Sequence, residues 1–513
     1  MAAEIELKLL IDPADVLKLR RMPVLKIWST AKPVSRKLVA IYYDTPDLVL
    51  WHAGVALRVR RVGHGWIQTI KGGGAVCSGL HQRMEWESQI ADSTPDLSKI
   101  TNHALLKLFS HHGLRDRLQP VFITIFRRTN WLLSFAEGDE IELSLDQGEL
   151  KAGQSVAPVC EVELELKAGR PEKLYEMALQ LLESVQLMPE NSSKTERGYA
   201  LYSGAPALPV KAAPPGLTPA MSANEAFKAT ISSCIVHLQA NQKGMLLGQG
   251  PEYLHQMRVA LRRLRSAQSL FDSVIPRETY PEIPDGLKWL AEQLGPARDW
   301  DVFVTETLPP LMTQFPGQEA LAAMRRRARM QQKHNNEIAR AAVGSRRYAK
   351  LLLILGAWLE QEGWRVHLTD VQRQELAAPV GKLARQMLDR RHKQLRKRGR
   401  HLTQLSMAER HAVRLAAKKL RYAAEFFAEL YTQNRAQVYL NALAGLQDGL
   451  GALNDVATTR RLLASLHTPR SGAVHSEAIG IAHGWVACRG VQFLASLGQA
   501  WDAFQQQKPF WGK

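Results

Sequence analysis

Cysteine is scarce in this sequence, and its spacing excludes two common ways of stabilising a protein. Only four cysteines occur among 513 residues, and none of them forms a CxxC motif. They are Cys77, Cys160, Cys234 and Cys488. Such scattered positions argue against a disulfide framework and against a structural zinc site.

Long apolar runs are also missing. The longest, such as YAKLLLILGAWL, are shorter than a membrane span requires. The first residues form a charged segment, where a signal peptide would have an apolar core. We therefore expect a cytoplasmic protein without a membrane partner.

A proline-rich segment divides the chain. Residues 203–222 read SGAPALPVKAAPPGLTPAMS, which contains five prolines and no periodic pattern. Because 513 residues exceed one ordinary hydrophobic core, we interpret this segment as a semi-rigid linker between two domains. The predicted domains span residues 1–202 and 223–508.

The excess of positive charge belongs to the second half. Residues 221–513 hold 41 Lys and Arg against 24 Asp and Glu, a net charge of +17, whereas the rest of the chain nets only +1. A domain this basic normally binds a polyanion, such as nucleic acid, an acidic membrane surface or a phosphate polymer. Composition alone does not choose among the three.

The first half has the alternating pattern of β-strands. Besides the opening segment, the strand-like segments are RKLVAIYYDT, VALRVRRV, GWIQTIK, HQRMEWESQI, PVFITIFRR, NWLLSF, DEIELSLDQGE and VCEVELELKAG. We interpret Gly72-Gly73-Gly74 and Asp146-Gln147-Gly148 as turn signals, and we expect helices near 12–21, 97–110 and 171–187. Many strands with few helices indicate an antiparallel barrel or a strongly curved sheet.

Charged residues share one face of these strands. In the opening MAAEIELKLL, Glu4, Glu6 and Lys8 point to one side of a strand, and the apolar residues between them point to the other. Polar residues at alternate positions recur at Arg58, Arg60, Gln68, Lys71, Arg83, Glu85, Glu87, Glu140, Glu142, Asp146, Glu163 and Glu165. A solvated strand face or a simple cross-strand pair explains single cases, but a closed barrel with this inner face is a charged tunnel.

Such a tunnel suits a polyphosphate that carries a metal ion. Carboxylates hold Mg²⁺ or Mn²⁺, which favour oxygen ligands and also bridge phosphate oxygens. Guanidinium and ammonium groups bind phosphate oxygens directly. Because both signs of charge recur on the same face, the sequence predicts a site for a metal-bound phosphate chain.

The motifs resemble those of the CYTH family, the triphosphate tunnel metalloenzymes, over about residues 1–202. The resemblance rests on Glu4, Glu6, Lys8, Arg58, Arg60, Lys71, Arg83, Arg127, Glu163, Glu165 and the closing SKTERGY with Lys194 and Arg197. IELSLDQGELKAG, VCEVELELKAG and the final KPFWGK are similar to the bacterial inorganic triphosphatase branch. The resemblance implies an eight-stranded antiparallel tunnel with flanking helices that hydrolyses short triphosphates with a divalent metal.

The same resemblance implies roles for individual side chains. The expected substrate-binding residues are Lys8, Arg58, Arg60, Lys71, Arg83, Arg127 and Lys194. The expected metal ligands are Glu6, Glu163 and Glu165, with Glu4 and either Glu142 or Asp146 near a second metal or the attacking water. The residues expected to act in catalysis are Glu4, Glu6, Lys8, Arg58, Arg60 and Lys71. We expect Arg128 at the solvated rim, and Arg197 either to brace the last helix or to touch ligand.

The second half of the sequence repeats itself. HQMRVALRRLRSAQSLF from His255 aligns with HAVRLAAKKLRYAAEFF from His411, and LGPARDWDV aligns with LGALNDVAT further on. Both blocks are offset by 156 residues, which indicates a duplication with a constant frame. We expect two similar helical bundles, at about 223–375 and 376–508.

Each repeat carries a basic stripe at positions i, i+3, i+7 and i+10 of one helix. The stripes consist of His255, Arg258, Arg262 and Arg265, and of His411, Arg414, Lys418 and Arg421. Like charges so aligned repel each other unless an anion or a carboxylate neutralises them. Asp299 and Asp455 are candidate partners, which would make the stripes structural.

This half resembles the CHAD domain over about residues 220–508, through His255 and His411 and the basic residues that follow them. The resemblance implies binding of inorganic polyphosphate along a basic surface, and we expect association with polyphosphate granules. Metal binding by the histidines is disfavoured because one histidine per helix lacks a second nearby ligand.

The sequence therefore predicts hydrolysis of tripolyphosphate to diphosphate and phosphate, with Mg²⁺ or Mn²⁺, in a protein whose helical half binds polyphosphate. Two alternatives use the same residues. One is a hydrolase or cyclase that acts on an organic triphosphate, thiamine triphosphate or a nucleotide, and an aromatic platform in the tunnel would favour it. The other is a non-enzymatic binder of a polyanion such as nucleic acid, although few aromatic residues interleave with the basic stripes.

Overall fold

The structure, a computed structural model, describes residues 3–110, 114–276, 282–466 and 473–512. It divides into two compact units. The first contains Met1–Leu208 and Ser345–Glu362, and the second contains Pro209–Gly344 and Gly363–Lys513.

Nine strands form one antiparallel sheet in the first unit. They are β1 (Ala3–Ile11), β2 (Val34–Asp44), β3 (Val55–Val62), β4 (Gly65–Cys77), β5 (Leu80–Ile90), β6 (Gln119–Ser134), β7 (Glu140–Ala152), β8 (Ser155–Ala168) and β9 (Leu187–Pro189). The order is β5-β4-β3-β2-β6-β7-β8-β1-β9, and β5 also pairs with β1. That pairing closes the first eight strands into a barrel and leaves β9 as a short addition on β1. The predicted eight-stranded antiparallel tunnel is therefore confirmed.

Strand β1 shows why the sheet closes. Leu7 and Leu9 have no exposed surface, and Glu6 and Lys8 on the opposite face are only 7% exposed. Both faces of the strand are thus covered although only one of them is apolar. Charged residues on a covered face require an interior that neutralises or solvates them.

The two predicted turn signals lie inside strands. Gly74, at φ +104°, sits where the β4–β5 register shifts between Gly72 and Ala75, so the glycines form a β-bulge. Gly148 lies within β7, where a Cβ atom would come 2.1 Å from the backbone oxygen of Ile125. The glycines therefore permit a bulge and a close strand approach, and neither ends its strand.

Eight α-helices belong to the described part of the first unit. They are α1 (Val16–Arg20), α2 (Pro23–Trp28), α3 (Val49–His52), α4 (His103–Phe109), α5 (Leu114–Arg117), α6 (Glu172–Leu182), α7 (Lys194–Ser203) and α14 (Arg346–Glu360). Helix α14 comes from the second half of the sequence and packs against α6 and β9. Its Gly356 faces Tyr175 so closely that a Cβ atom would lie 2.4 Å from the ring.

The described part of the second unit is helical. Its helices are α8 (Ala223–Ala240), α9 (Gln242–Leu247), α10 (Pro251–Phe271), α11 (Glu282–Val302), α12 (Leu308–Gln314), α13 (Glu319–Val343), α15 (Asp370–Ala377), α16 (Val380–Arg398), α17 (Met407–Phe427), α18 (Gln433–Leu466) and α19 (Ala473–Gln505). Among the described helices, none is both long and apolar enough to cross a membrane.

The predicted duplication is visible in the helices. Helices α10 and α17 each contain 21 residues, and their first and last residues differ by the same offset of 156. They pack against each other, with the rings of Phe271 and Phe427 6.2 Å apart. In each repeat this helix lies between a preceding helix, α8 or α16, and a following one, α11 or α18. The predicted duplicated helical bundle is confirmed.

Candidate functional site

The barrel encloses a charged cavity of about 600 Å³. Its described lining includes ten basic residues, Lys8, Lys32, Arg36, Arg58, Arg60, Lys71, Arg83, Arg128, Lys167 and Lys194. It also includes seven glutamates, Glu4, Glu6, Glu85, Glu87, Glu142, Glu163 and Glu165. The excess of positive charge favours a bound anion, and the glutamates favour a cation with it.

Three glutamates form a row across adjacent strands. Glu142 on β7 lies opposite Glu165 on β8, and Glu165 lies opposite Glu6 on β1. Burial raises the pKa of Glu165; the ion pair with Lys167 opposes this rise, and the charges of Glu4 and Glu142 add to it. Like charges directly opposite each other destabilise a sheet. Lys8 pairs with Glu6 at 2.7 Å and Lys167 with Glu165 at 2.6 Å, so the charge of this acidic row (Glu6, Glu142 and Glu165) is only partly offset. Its oxygen donors and remaining charge fit a divalent cation.

Deeper in the barrel, a second acidic group is already neutralised. Carboxylate oxygens of Asp146, Glu161 and Glu163 lie within 4.8 Å of one another. The ammonium of Lys194 lies 2.6 Å from Asp146 and 2.9 Å from Glu163, and it also pairs with Glu161. Arg128 pairs with Asp146 at 2.6 Å and contacts Glu163 as well. The group has the donors for a metal ion, but here its charge fixes Lys194 and Arg128 in place.

Glu163 and Lys8 stabilise each other's charged forms. Lys8 lies 2.6 Å from Glu163 and 2.7 Å from Glu6. Burial alone would lower the pKa of Lys8, but Glu163 and Glu6 raise it well above its ordinary value. Burial alone would raise the pKa of Glu163, but Lys194, Lys8 and Arg128 hold it well below its ordinary value. These groups are thus ionised throughout the physiological range.

The cations on β3 and β4 are less completely neutralised. Arg58 and Arg60 lie 3.8 and 3.7 Å from one oxygen of Glu87, whose side chain is 46% exposed. Lys71 lies 3.2 Å from Glu4 and also pairs with Glu85. Burial lowers the pKa of both Arg60 and Lys71, and the charge of Arg58 lowers both further. A bound phosphate chain would relieve this repulsion.

Two predicted residues occupy other places than expected. Arg127 is exposed and outside the described lining, whereas Arg128, predicted at the rim, lines the cavity and is 20% exposed. The assignment of these two arginines was wrong because β6 carries apolar residues on both faces, with Phe126 inward and Ile125 outward. Asp146 lies behind the lining, in contact with Arg128 and Lys194.

Sequence reasoning missed Glu161 and left two roles open for Arg197. Glu161 has the same parity as Glu163 and Glu165 in EVELE, so the alternation itself could have identified it. Arg197 of α7 pairs with Glu161 on β8, which is the bracing alternative. Arg83, predicted to bind substrate, lines the cavity and lies 3.3 Å from Glu196 of α7.

The helical unit contains a basic cavity of about 1060 Å³, lined mainly by α10, α17 and α18. It brings together five of the eight predicted stripe residues, His255, Arg262, Arg414, Lys418 and Arg421. Burial together with Arg414 and Arg262 lowers the pKa of Lys418 to about 7. Burial together with Arg298 lowers the pKa of His255 to about 4. The cations of this cavity therefore outweigh their carboxylate partners.

The other three stripe residues lie outside the basic cavity. Arg258 is half-buried beside Gly295, and burial together with Arg262 lowers its pKa to about 10. Arg265 is exposed, whereas Arg421 is held by Glu425 at 2.7 Å and by Gln447. The residue four positions after Arg265 is a serine, which has no charge to offer. His411 lines a different cavity.

The two aspartates neutralise the stripes only in part. Asp299 accepts a hydrogen bond at 2.7 Å from Arg461, although its charge also acts on Arg258. Asp455 acts electrostatically on Arg414 and Lys418 without a hydrogen bond to either among the described contacts. Pairing with aspartates thus neutralises only part of the positive charge of the stripes.

Comparison with known proteins finds two families, one for the barrel and one for the helical part of the chain. The family model of the CYTH domain matches residues 2–199, and that of the CHAD domain matches 229–464. An inorganic triphosphatase of Haemophilus influenzae is 35% identical over 205 residues, which are 40% of this chain and 56% of that protein. The crystal structure of the CHAD domain from the plant Ricinus communis is 34% identical, with a TM-score of 0.52, and the match covers 59% of this chain and 98% of that one. The chain therefore contains a CYTH domain at residues 2–199, which holds the charged tunnel, and a CHAD domain at residues 229–464, which holds the duplicated helices.

Proposed function

We propose that the tunnel hydrolyses tripolyphosphate to diphosphate and phosphate, and that the helical domain binds inorganic polyphosphate. The observation that carries the proposal is the acidic row beside the incompletely neutralised Arg58, Arg60 and Lys71 in one cavity. A metal-bound triphosphate supplies the opposite charge to each of these groups at once.

The acidic row fits a divalent metal, with Glu6, Glu142 and Glu165 as the residues that would hold Mg²⁺ or Mn²⁺. When bound there, such a metal withdraws charge from phosphate oxygens and lowers the pKa of an attacking water. Glu4, whose ion pair with Lys71 sets it beside this row, is the residue we assign to orient that water.

Binding and charge stabilisation fall to the basic residues. Arg58, Arg60 and Lys71 bind the phosphate oxygens, because they lack full carboxylate neutralisation. Lys8, Lys194 and Arg128 are fixed by Glu163 and so present preorganised positive charge to the bond that breaks. Preorganised charge stabilises a transition state without reorganising during the reaction.

Two observations favour an inorganic over an organic triphosphate. The relative from Haemophilus influenzae is an inorganic triphosphatase, and this chain spans 56% of its length. The aromatic residues in the described lining are Tyr42 and Phe126. Tyr42 stacks on Phe122 at 4.3 Å, and Phe126 lies under Lys194 at 5.1 Å. Both rings are also buried, at 4% and 8% exposure, so the described tunnel offers little aromatic surface to a nucleobase or a thiazole ring.

For the helical domain, a flexible phosphate polymer fits the surplus charge of the basic cavity. Polyanion binding of this kind releases condensed counterions and needs little shape complementarity. We place the enzyme in the cytoplasm, associated with polyphosphate granules through this domain.

The experiment is a comparison of phosphate release from tripolyphosphate, thiamine triphosphate and ATP by the full-length protein, with Mg²⁺ or Mn²⁺ and with chelator. Tripolyphosphate is expected to be the best substrate, and chelator is expected to abolish release. Glu6→Gln should abolish turnover in a folded protein. Release from tripolyphosphate that is absent, or that Glu6→Gln leaves unchanged, would refute the proposal.

The helical role has a separate test. A variant with Arg262→Ala and Arg414→Ala, both in the basic cavity, should bind polyphosphate more weakly and with a smaller salt dependence, while tripolyphosphate hydrolysis stays near that of the parent. Unaltered retention would favour the structural alternative in which aspartates pair with the arginines.

A further inference from the structure

A third cavity, which shares Arg414 with the basic one, lies in the second repeat between α17, α18 and α19. Its volume is about 460 Å³, within the range of small-molecule sites. The described walls are largely aliphatic and include Leu450, Leu453, Val456, Ala487 and Leu494. Met407 and Val491, also in its lining, are 59% and 70% exposed. The cavity thus combines an apolar interior with apolar side chains open to solvent.

The internal duplication shows that this cavity is a feature of one repeat. With the offset of 156 residues, Val456 corresponds to Trp300. Trp300 is only 5% exposed and packs against Phe303, with the ring centroids 5.7 Å apart, in a core that includes Met324 of α13. In the second repeat, the place of the indole is taken by a valine that faces Gly490 of α19, where a Cβ atom would lie 3.6 Å from Val456. The loss of the large side chain leaves the space open.

The charges around this cavity have one sign. Arg410, His411, Arg414 and Arg460 line it, and none of the described lining residues carries a carboxylate. The Nε atom of Arg414 is buried and has no hydrogen-bond partner in the described part of the chain. Asp455, which acts electrostatically on Arg414, lines the basic cavity instead. An anionic head group at this end would satisfy Arg414.

The side chains of the cavity walls also indicate what the uncharged part of the ligand consists of. No Phe, Tyr or Trp is among the described lining residues, so His411 at the charged end is the one aromatic ring that the described walls offer to a nucleobase or another flat ring. Aliphatic side chains on three helices suit a saturated chain, which gains about the same free energy from each buried methylene.

We propose that this cavity binds a free fatty acid, with its alkyl chain between α17, α18 and α19 and its carboxylate at Arg414 and Arg410. The carboxylate supplies the missing negative charge, and the chain covers the exposed apolar side chains. This site is independent of triphosphate hydrolysis in the barrel.

The test is calorimetric titration of the full-length protein with octanoate, decanoate and dodecanoate below their micelle concentrations. Affinity is expected to rise by about fourfold per added methylene. Dodecanol, which lacks the charge, should bind at least about tenfold more weakly than dodecanoate, and Arg414→Gln should reduce that difference. Equal affinity for all three acids, or none for dodecanoate, overturns the proposal.

A substitution that fills this cavity distinguishes dodecanoate binding here from binding in the basic cavity. Val456→Trp restores the residue of the first repeat and should weaken dodecanoate binding by at least about tenfold. Val438→Trp is the matched control, since Val438 lies on the same helix and is 57% exposed. If circular dichroism shows that Val456→Trp is misfolded, Gly490→Leu fills the cavity from α19. Unchanged binding in a folded filling variant, or binding to anionic phospholipid vesicles without dodecanoate binding, overturns the proposal.

Discussion

Glu165 lies directly opposite Glu142 in the β7–β8 pairing, on the inner face of a closed barrel. The next residue across is Glu6, so three carboxylates adjoin, and only Lys167 at Glu165 and Lys8 at Glu6 pair with them among the described ion pairs. Burial and the neighbouring carboxylates raise the pKa of Glu165. The two lysines offset only part of the repulsion in the row, and a bound cation would offset the rest.

We predict that Glu142→Gln makes the metal-free protein more stable but hydrolysis slower. Without metal, removing one charge from the row should increase the free energy of unfolding by up to about 1 kcal/mol. With Mn²⁺, the variant should gain less stabilisation than the parent and hydrolyse tripolyphosphate at least about tenfold more slowly. Thermal unfolding with and without Mn²⁺, together with phosphate release, measures both effects.

Glu149→Gln is the control for that prediction. Glu149 lies on the same strand with the opposite parity, where it pairs with Lys151 at 2.6 Å and is 38% exposed. Its replacement should leave the response to Mn²⁺ and the rate unchanged. A Glu142→Gln variant that is less stable without metal would contradict the repulsion on which the prediction rests.

A second prediction uses the adjacent arginines of β6. Arg128→Gln removes a guanidinium that binds Asp146 and Glu163, so it should lower stability by about 1.5–3 kcal/mol and raise the KM for tripolyphosphate. Arg127→Gln changes an exposed side chain and should match the parent in both measurements. Denaturant unfolding and steady-state kinetics of the two variants decide which arginine acts. Equal effects would contradict the inward orientation of Arg128.

The sequence predicted the barrel because its signal is local. Alternation in EIELK is enough to place Glu4, Glu6 and Lys8 on one face, and the structure puts all three in the cavity lining. The same rule fails for Arg127 and Arg128, since consecutive residues face opposite sides of a strand and the two residues before them, Ile125 and Phe126, are both apolar. The choice between them depends on the long-range pairing of Arg128 with Asp146 on β7.

In the helical half, too, the sequence predicted the features that depend on local pattern but not those that depend on long-range packing. The constant offset predicted the duplication, and the equal helices α10 and α17 follow from it. The cavities do not follow, because they depend on what packs against each stripe. His255 and His411 hold the same place in the repeat but line different cavities, one basic and one aliphatic. Nor does periodicity reveal that α14 packs on α6, since that contact joins residues far apart in the sequence.

A third prediction concerns acid. The cations around Glu163 hold its pKa well below the ordinary value despite burial, so this carboxylate contributes stability above the ordinary glutamate pKa and loses it as pH falls through the folded value. Glu163→Gln should therefore destabilise the protein by about 3–5 kcal/mol at neutral pH, and by progressively less in acid. Denaturant unfolding of parent and variant across the acid range measures the difference. Glu137→Gln, at a 68% exposed ion pair, should show no such dependence, and a difference that grows in acid would contradict the assignment.

The last prediction links Lys418 to polyphosphate binding through pH. Burial, Arg414 and Arg262 lower its pKa to about 7 in the free protein, against the smaller opposing effect of Asp455. A bound polyanion favours the charged ammonium and so raises this pKa, which means that binding above neutral pH requires uptake of a proton. Affinity should therefore fall as pH rises from about 6 to about 9, by at most about tenfold per pH unit. The guanidinium of Lys418→Arg stays charged over this range, so the affinity of this variant for polyphosphate should change little with pH. Lys418→Gln has no charge at this position, so its affinity should also change little with pH but should be lower throughout. Fluorescence anisotropy of labelled polyphosphate measures all three, and a Lys418→Arg variant that retains the full slope would assign the titration to another group.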